Sequence, residues 1–115
     1  MRVALVAALT LAAAPAFAAT GQDLFNSNCA DCHTVDDTSY TAPTLKGVAG
    51  RKVAAVPGFT YSDALKAKAG QTWTEANLDA FIAAPNTFAP GTAMTANDAN
   101  AADRAAIIAY LKTVK

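Results

Sequence analysis

The run Cys29-Ala30-Asp31-Cys32-His33 gathers both cysteines and the one histidine of a 115-residue chain into five consecutive positions. On a helix this spacing sets two thiols about one turn apart and presents an imidazole beside them. C-x-x-C-H is the attachment pattern of a c-type haem, in which two thiols add to two vinyl groups along one porphyrin edge and the next residue offers its imidazole to the iron. A chain built round such a group must wrap it, which restricts the fold more than any other feature here. Three other uses fit the pentapeptide less well. A thioredoxin-like dithiol needs its pair at the start of a helix after a strand, whereas this pair falls at a helix's end. A structural zinc site needs four ligands, and two thiolates with one imidazole leave it one short. A Cys29–Cys32 disulfide closes a loop too short to anchor much fold and leaves His33 without a reason.

The start of the chain reads as an address. Met1-Arg2, the apolar run Val3 to Ala14 and the small-x-small site Ala16-Phe17-Ala18 are the parts of a cleavable secretory signal. The apolar stretch is too short to cross a bilayer. The expected division is a signal peptide over 1–18, cut near Ala18 and directing export to the periplasm, and one domain over 19–115. Removing 18 of 115 residues leaves 97, a length marginal for burying a large core alone. A bound cofactor supplies the missing apolar volume. Nine basic residues balance nine acidic ones, and one of the basic residues is Arg2, so the domain carries a charge near −1. That balance suggests neither nucleic acid nor an anionic membrane as a partner, and no stable membrane insertion is expected once the signal is removed.

Four helices are expected. Thr20 can cap the first, whose stripe of Leu24, Phe25, Cys29 and Cys32 runs to about His33. Ser62 and Thr74 are similar caps, before Ala64 to Ala69 and Glu75 to Ala84, and Pro85 cannot continue the latter. The last helix starts near Asn100, has Asp103 in its first turn, and carries Ile107, Tyr110, Leu111 and Val114. The intervening segments, Asp36 to Gly50, Val56-Pro57-Gly58 and Asn86 to Asn100, are rich in turn formers and show no alternation long enough for a sheet. The class is all-α with long loops, and loops of this length are expected to wrap something.

A haem iron held by His33 has a second axial position. With no other histidine in the chain, Met94 is the soft candidate, placed in the polar loop Pro90-Gly91-Thr92-Ala93-Met94. A lone methionine more often fills a gap in a core, but this one lies on no periodic apolar face. Met/His ligation raises a reduction potential.

From Gly21 to Lys112 the chain resembles a class I cytochrome c of the mitochondrial and bacterial c2 type. The matching stretches are Gly21 to Phe25, Cys29 to Val35, Gly50-Arg51-Lys52, Pro57 to Ser62, Trp73, Leu78, Pro85, Pro90-Gly91-Thr92-x-Met94 and Ala109 to Lys112. The resemblance implies a small fold with crossed N- and C-terminal helices, Gly21 and Phe25 against Ile107 and Tyr110, and loops wrapping one covalent haem c. It implies Cys29 and Cys32 as thioether anchors and His33 and Met94 as axial ligands. Arg51, Tyr61 and Trp73 match residues that hydrogen-bond the haem propionates. The carbonyl of Pro43 matches the acceptor for the other nitrogen of the axial histidine, and Thr92 and Phe81 belong to the pocket.

The departures from the family pattern are also informative. Ala42 stands where relatives usually have glycine, and is expected to tighten that turn and shift the hydrogen bond of His33. Phe81 and Leu65 replace a tyrosine and an asparagine, which should dry the Met94 side of the pocket. Ala96 replaces an aromatic that often covers the haem edge. Asn28, Asp36, Asp37, Asn86, Thr87 and Ala93 fall where mitochondrial relatives carry lysines, so the front face should be neutral or slightly acidic. The function implied is that of a monomeric one-electron carrier and not an enzyme. Its redox partners would be a quinol-oxidising complex and an oxidase, a reaction centre or a dehydrogenase. The alternatives are a haem subunit or module of a periplasmic dehydrogenase, or a peroxidase, which would require Met94 to leave the iron.

Overall fold

The computed structural model describes residues 9–11 and 19–115; apart from 9–11, the secretory signal expected over 1–18 lies outside them. Five helices follow in order: α1 (Gly21–Asn28), α2 (Asp63–Ala67), α3 (Glu75–Ala83), α4 (Pro85–Phe88) and α5 (Ala101–Leu111). Strand pairing among the described residues is limited to an isolated antiparallel bridge between Lys52 and Thr72. The class is all-α.

Each main helix starts where a side-chain oxygen can take an orphan amide. Thr20 accepts from the Asp23 N–H while the Asp23 carboxylate accepts from the Thr20 N–H, a reciprocal box. Ser62 accepts from Leu65, Thr74 from Asn77, and Asn100 from both Ala102 and Asp103.

The ends depart further from expectation than the starts. α1 stops at Asn28 and does not run to His33, because the amides of both Cys29 and Ala30 turn onto the Phe25 carbonyl and the regular ladder ends there. The haem-attachment pentapeptide therefore lies in turns, with Cys32 and His33 both donating to the Cys29 carbonyl. α2 likewise ends at Ala67, short of Ala69. Pro85 does stop α3, since the residue before a proline is pushed out of the helical region; Ala84 adopts φ −154°, ψ 81°. The same proline then opens α4, where its missing N–H costs nothing. A four-residue helix is too short to show periodicity, and this one lies in a stretch expected to be loop.

α1 crosses α5, and α3 packs on α5 and α4. Phe25 meets Tyr110 with ring centroids 5.4 Å apart. The buried core joins Phe25 and Leu78 to Ile107, Ile108 and Leu111 of α5, with Leu65 from α2. Each such side chain contributes about 1.5–3 kcal/mol on burial. Val48, Val53 and Trp73 join this core from loops. Their segments are tied by backbone bonds from Gly50 to Trp73, Trp73 to Arg51 and Val53 to Gln71, while Gly47 donates to Val114 at the C-terminus. The long segment after the pentapeptide is thus pinned to the end of the chain, leaving a concave face beside α1.

Candidate functional site

A cleft of about 300 Å³ on that face is lined by Cys29, Cys32, His33, Pro43, Tyr61, Phe81, Thr92 and Met94. The candidate ligands at the two ends of the domain sequence therefore meet in one place. Asn28, Ala42, Leu65, Ala93 and Ala96 complete much of the wall, and none of the lining residues is Asp, Glu, Lys or Arg. Phe59, Thr41, Ser62 and Thr95 also line it. Phe59 and Ser62 could have been found in the sequence from their place in the matching Pro57 to Ser62 stretch; Thr41 and Thr95 carry no signal beyond polarity.

Two attachments aim His33. Its amide bonds to the Cys29 carbonyl, and its Nδ1 lies 2.7 Å from the Pro43 carbonyl oxygen. That oxygen can only accept, so Nδ1 carries the proton and Nε2 keeps its lone pair for a metal. Ala42 stands directly before this acceptor. Ala54 is the one non-glycine residue with positive φ among the described residues, so Ala42 sits in ordinary backbone that a Cβ tolerates, and its amide bonds to the Cys32 carbonyl. Burial, chiefly, lowers the pKa of His33, and the charge of Arg51 adds to this against the opposing Pro43 bond. The imidazole is neutral at neutral pH, the form that binds metal.

Both thiols are free. Burial, with the charge of Asp98, pushes the Cys29 thiol up to about 11. A thiol so raised is a poor nucleophile at neutral pH.

Met94 is placed by a relay of local contacts. Asn86 in α4 accepts the Gly91 amide on its side chain, and Gly91 takes φ 84°, which allows the sharp Pro90-Gly91 turn. Thr92 is buried, its amide bonds to the Ala89 carbonyl, and its hydroxyl accepts from the Met94 N–H at 3.4 Å. The cleft that Met94 lines also includes Leu65 and Phe81, neither of which offers a polar group.

Arg51 and Trp73 do not line this cleft. Arg51 lines a neighbouring one, together with Tyr40, Lys46 and Phe59; Phe59 is shared by both clefts. One Arg51 nitrogen, Nη1, donates to the Lys46 carbonyl, but Nε is buried with no partner. An unpartnered buried donor of this kind fits an anionic group such as a carboxylate. The Tyr61 hydroxyl accepts from the Val56 N–H at 3.0 Å and retains its own proton to donate. Trp73 is a core aromatic: its ring stacks on Phe88 at 5.6 Å and tilts against Phe81 at 5.2 Å.

The residues present fit a haem. Two thiols and an oriented, neutral imidazole share a mostly apolar cleft with a thioether sulfur, and an orphaned guanidinium nitrogen waits beside it.

Of the two carboxylates expected near the front face, Asp37 is ion-paired with Lys46 at 2.6 Å and Asp36 accepts from the Thr38 N–H at 2.8 Å.

A family model described as cytochrome c matches residues 18–115. The chain is 43% identical over 98 residues to the cytochrome c-type cyt cy of Rhodobacter capsulatus, covering 84% of this chain and 49% of that protein. It spans about half the length of that relative. It is 38% identical over 120 residues to cytochrome c2 of Rhodomicrobium vannielii, covering 98% of this chain and 94% of the relative. Among solved structures, cytochrome cH from Methylobacterium extorquens superposes with a TM-score of 0.73 at 40% identity, covering 81% of this chain and 94% of that one.

Proposed function

The chain belongs to the cytochrome c family, carriers of electrons on one covalently bound c-type haem rather than enzymes, and from that premise we propose that it is a periplasmic shuttle. Its donor would be a quinol-oxidising complex and its acceptor an oxidase, a reaction centre or a dehydrogenase. The observation that carries the reading is the single cleft that joins the Cys29-to-His33 turn to the Met94 loop.

The haem supplies the one-electron couple when bound. Cys29 and Cys32 would hold it through two thioethers. His33, its ring fixed by the Pro43 carbonyl, would offer Nε2 to the iron, and Met94, in the loop that Asn86 and Thr92 shape, would offer its sulfur. With His33 and Met94 both offered to the iron, the chain would leave no open place there for substrate, which suits the site to passing electrons. Arg51, through its unpartnered Nε, and Tyr61, through its free proton, would receive the propionates. The same role for Trp73 rests on the resemblance alone. Phe81 and Leu65 keep water from the Met94 side, while the exposed Ala96 leaves the haem edge less shielded. The protein works as a monomer over residues 19–115 after a signal over 1–18 is cut.

The pyridine haemochrome spectrum tests attachment: both vinyl groups should be saturated, and acid–acetone should extract no haem. Free vinyls would overturn the thioether assignment. Fractionation of the native cells, with the N-terminus of the exported protein sequenced, tests the periplasmic reading; a start other than Ala19 would redraw the domain boundary.

A further inference from the structure

We infer that Arg104 is a positioning residue for Met94, acting through the backbone of Asp98. The inference rests on Met94 being the ligand proposed above. Met94 is followed by an irregular segment that runs to the cap of α5. Among the described residues, the backbone of 95–99 reaches other elements only at Asp98, where both peptide groups are taken. The Asp98 N–H donates to the Ile82 carbonyl of α3 at 3.0 Å, and the Asp98 carbonyl accepts from Arg104 Nη1 of α5 at 3.0 Å. Arg104 Nε also holds the Asp79 carboxylate of α3 at 2.7 Å, and the Arg104 side chain is only 13% exposed. One planar guanidinium therefore locks α5, α3 and the Met94 segment to one another. Asn97 adds a longer side-chain bond to the Ala83 carbonyl, again on α3.

The consequence is mechanical. A swing of its segment would carry the Met94 sulfur away from the iron, and the segment's distal end is held at Asp98. A lysine could satisfy Asp79 or the carbonyl but lacks the fork that reaches both. Removing the guanidinium should raise the population in which Met94 is detached, without unfolding the helices. The ferric protein's apparent affinity for an added ligand scales with that population.

The test uses the haem-loaded protein and free imidazole as the probe, followed by loss of the weak far-red iron–sulfur band. Losing a charge-assisted hydrogen bond in a partly buried place should tighten apparent imidazole binding about tenfold in Arg104→Gln. Arg104→Lys should fall between it and the parent. Asp79→Asn should have a smaller effect, since the bond to the Asp98 carbonyl survives. On heating, the far-red band of Arg104→Gln should fade before the far-ultraviolet helix signal. Lys112→Gln, which breaks the exposed Lys112–Glu75 pair between the same two helices, should match the parent. Unchanged imidazole binding in the Arg104 variants, or band and helix signal shifting together as in a general destabilisation, would overturn the inference. If Arg104→Gln does not fold, Arg104→Lys and Asp79→Asn carry the same comparison. A parent without a far-red band would instead count against Met94 as ligand, which separates the two failures.

Discussion

Gly21 of α1 lies so close to Ala106 of α5 that a Cβ built on it would stand 2.1 Å from the Ala106 carbonyl oxygen and 2.8 Å from its carbon. The obstacle is backbone, so no rotamer change relieves it. The two terminal helices cross at a point where only hydrogen fits, and Phe25 then reaches Tyr110 one turn further on.

Gly21→Ala should destabilise the protein by about 1–3 kcal/mol, the usual cost of forcing volume into a packed contact. Alanine's better helix propensity offsets at most about 1 kcal/mol of this. A urea titration followed by helix circular dichroism measures it. An unchanged midpoint would mean the crossing is looser than described.

The Thr20–Asp23 box predicts a pH dependence. Bonds from the Thr20 backbone and hydroxyl lower the pKa of Asp23 from its usual 3.8. A carboxyl with a depressed folded-state pKa stabilises the fold above the unfolded value and loses that contribution as pH falls through the folded one. Asp23→Asn should therefore be less stable than the parent at neutral pH, and the gap should shrink below about pH 3.8. A gap that stays constant from neutral to acid pH would dissociate the box from charge.

Met94→Ala should abolish the far-red band of the ferric protein and lower the reduction potential by a substantial part of the ~0.8 V range that axial ligands govern. Redox titration beside the ferric spectrum checks both. A retained band would assign the sixth ligand elsewhere.

The cleft wall carries no Asp, Glu, Lys or Arg, and several basic side chains are already paired: Lys46 with Asp37, Lys66 with Asp63, Arg104 with Asp79 and Lys112 with Glu75. Surface fields are screened within roughly 8 Å at physiological salt, and a neutral face has little steering to lose. Electron transfer with the physiological partner should change little with ionic strength, resting on small apolar contacts. Stopped-flow oxidation across a salt series tests this; a steep fall in rate would reveal a charged docking patch elsewhere.

What the sequence by itself determined was whatever short-range chemistry dictates. The caps Thr20, Ser62, Thr74 and Asn100 start helices because each offers an oxygen to an amide two or three residues on, and the Cys29-to-His33 spacing specifies its cofactor within five residues. The helix ends were less legible, since α1 stops where the Cys29 and Ala30 amides converge on one carbonyl, a choice made by the turn that follows. α4 was invisible because four residues show no period. The burial of Val48 and Val53, the unpartnered Nε of Arg51 and the grip of Arg104 on Asp79 and Asp98 were decided only in three dimensions. Those partners lie far apart in the chain or on loops without periodicity, and only the packing of α5 against α1 and α3 brings them within reach of one another.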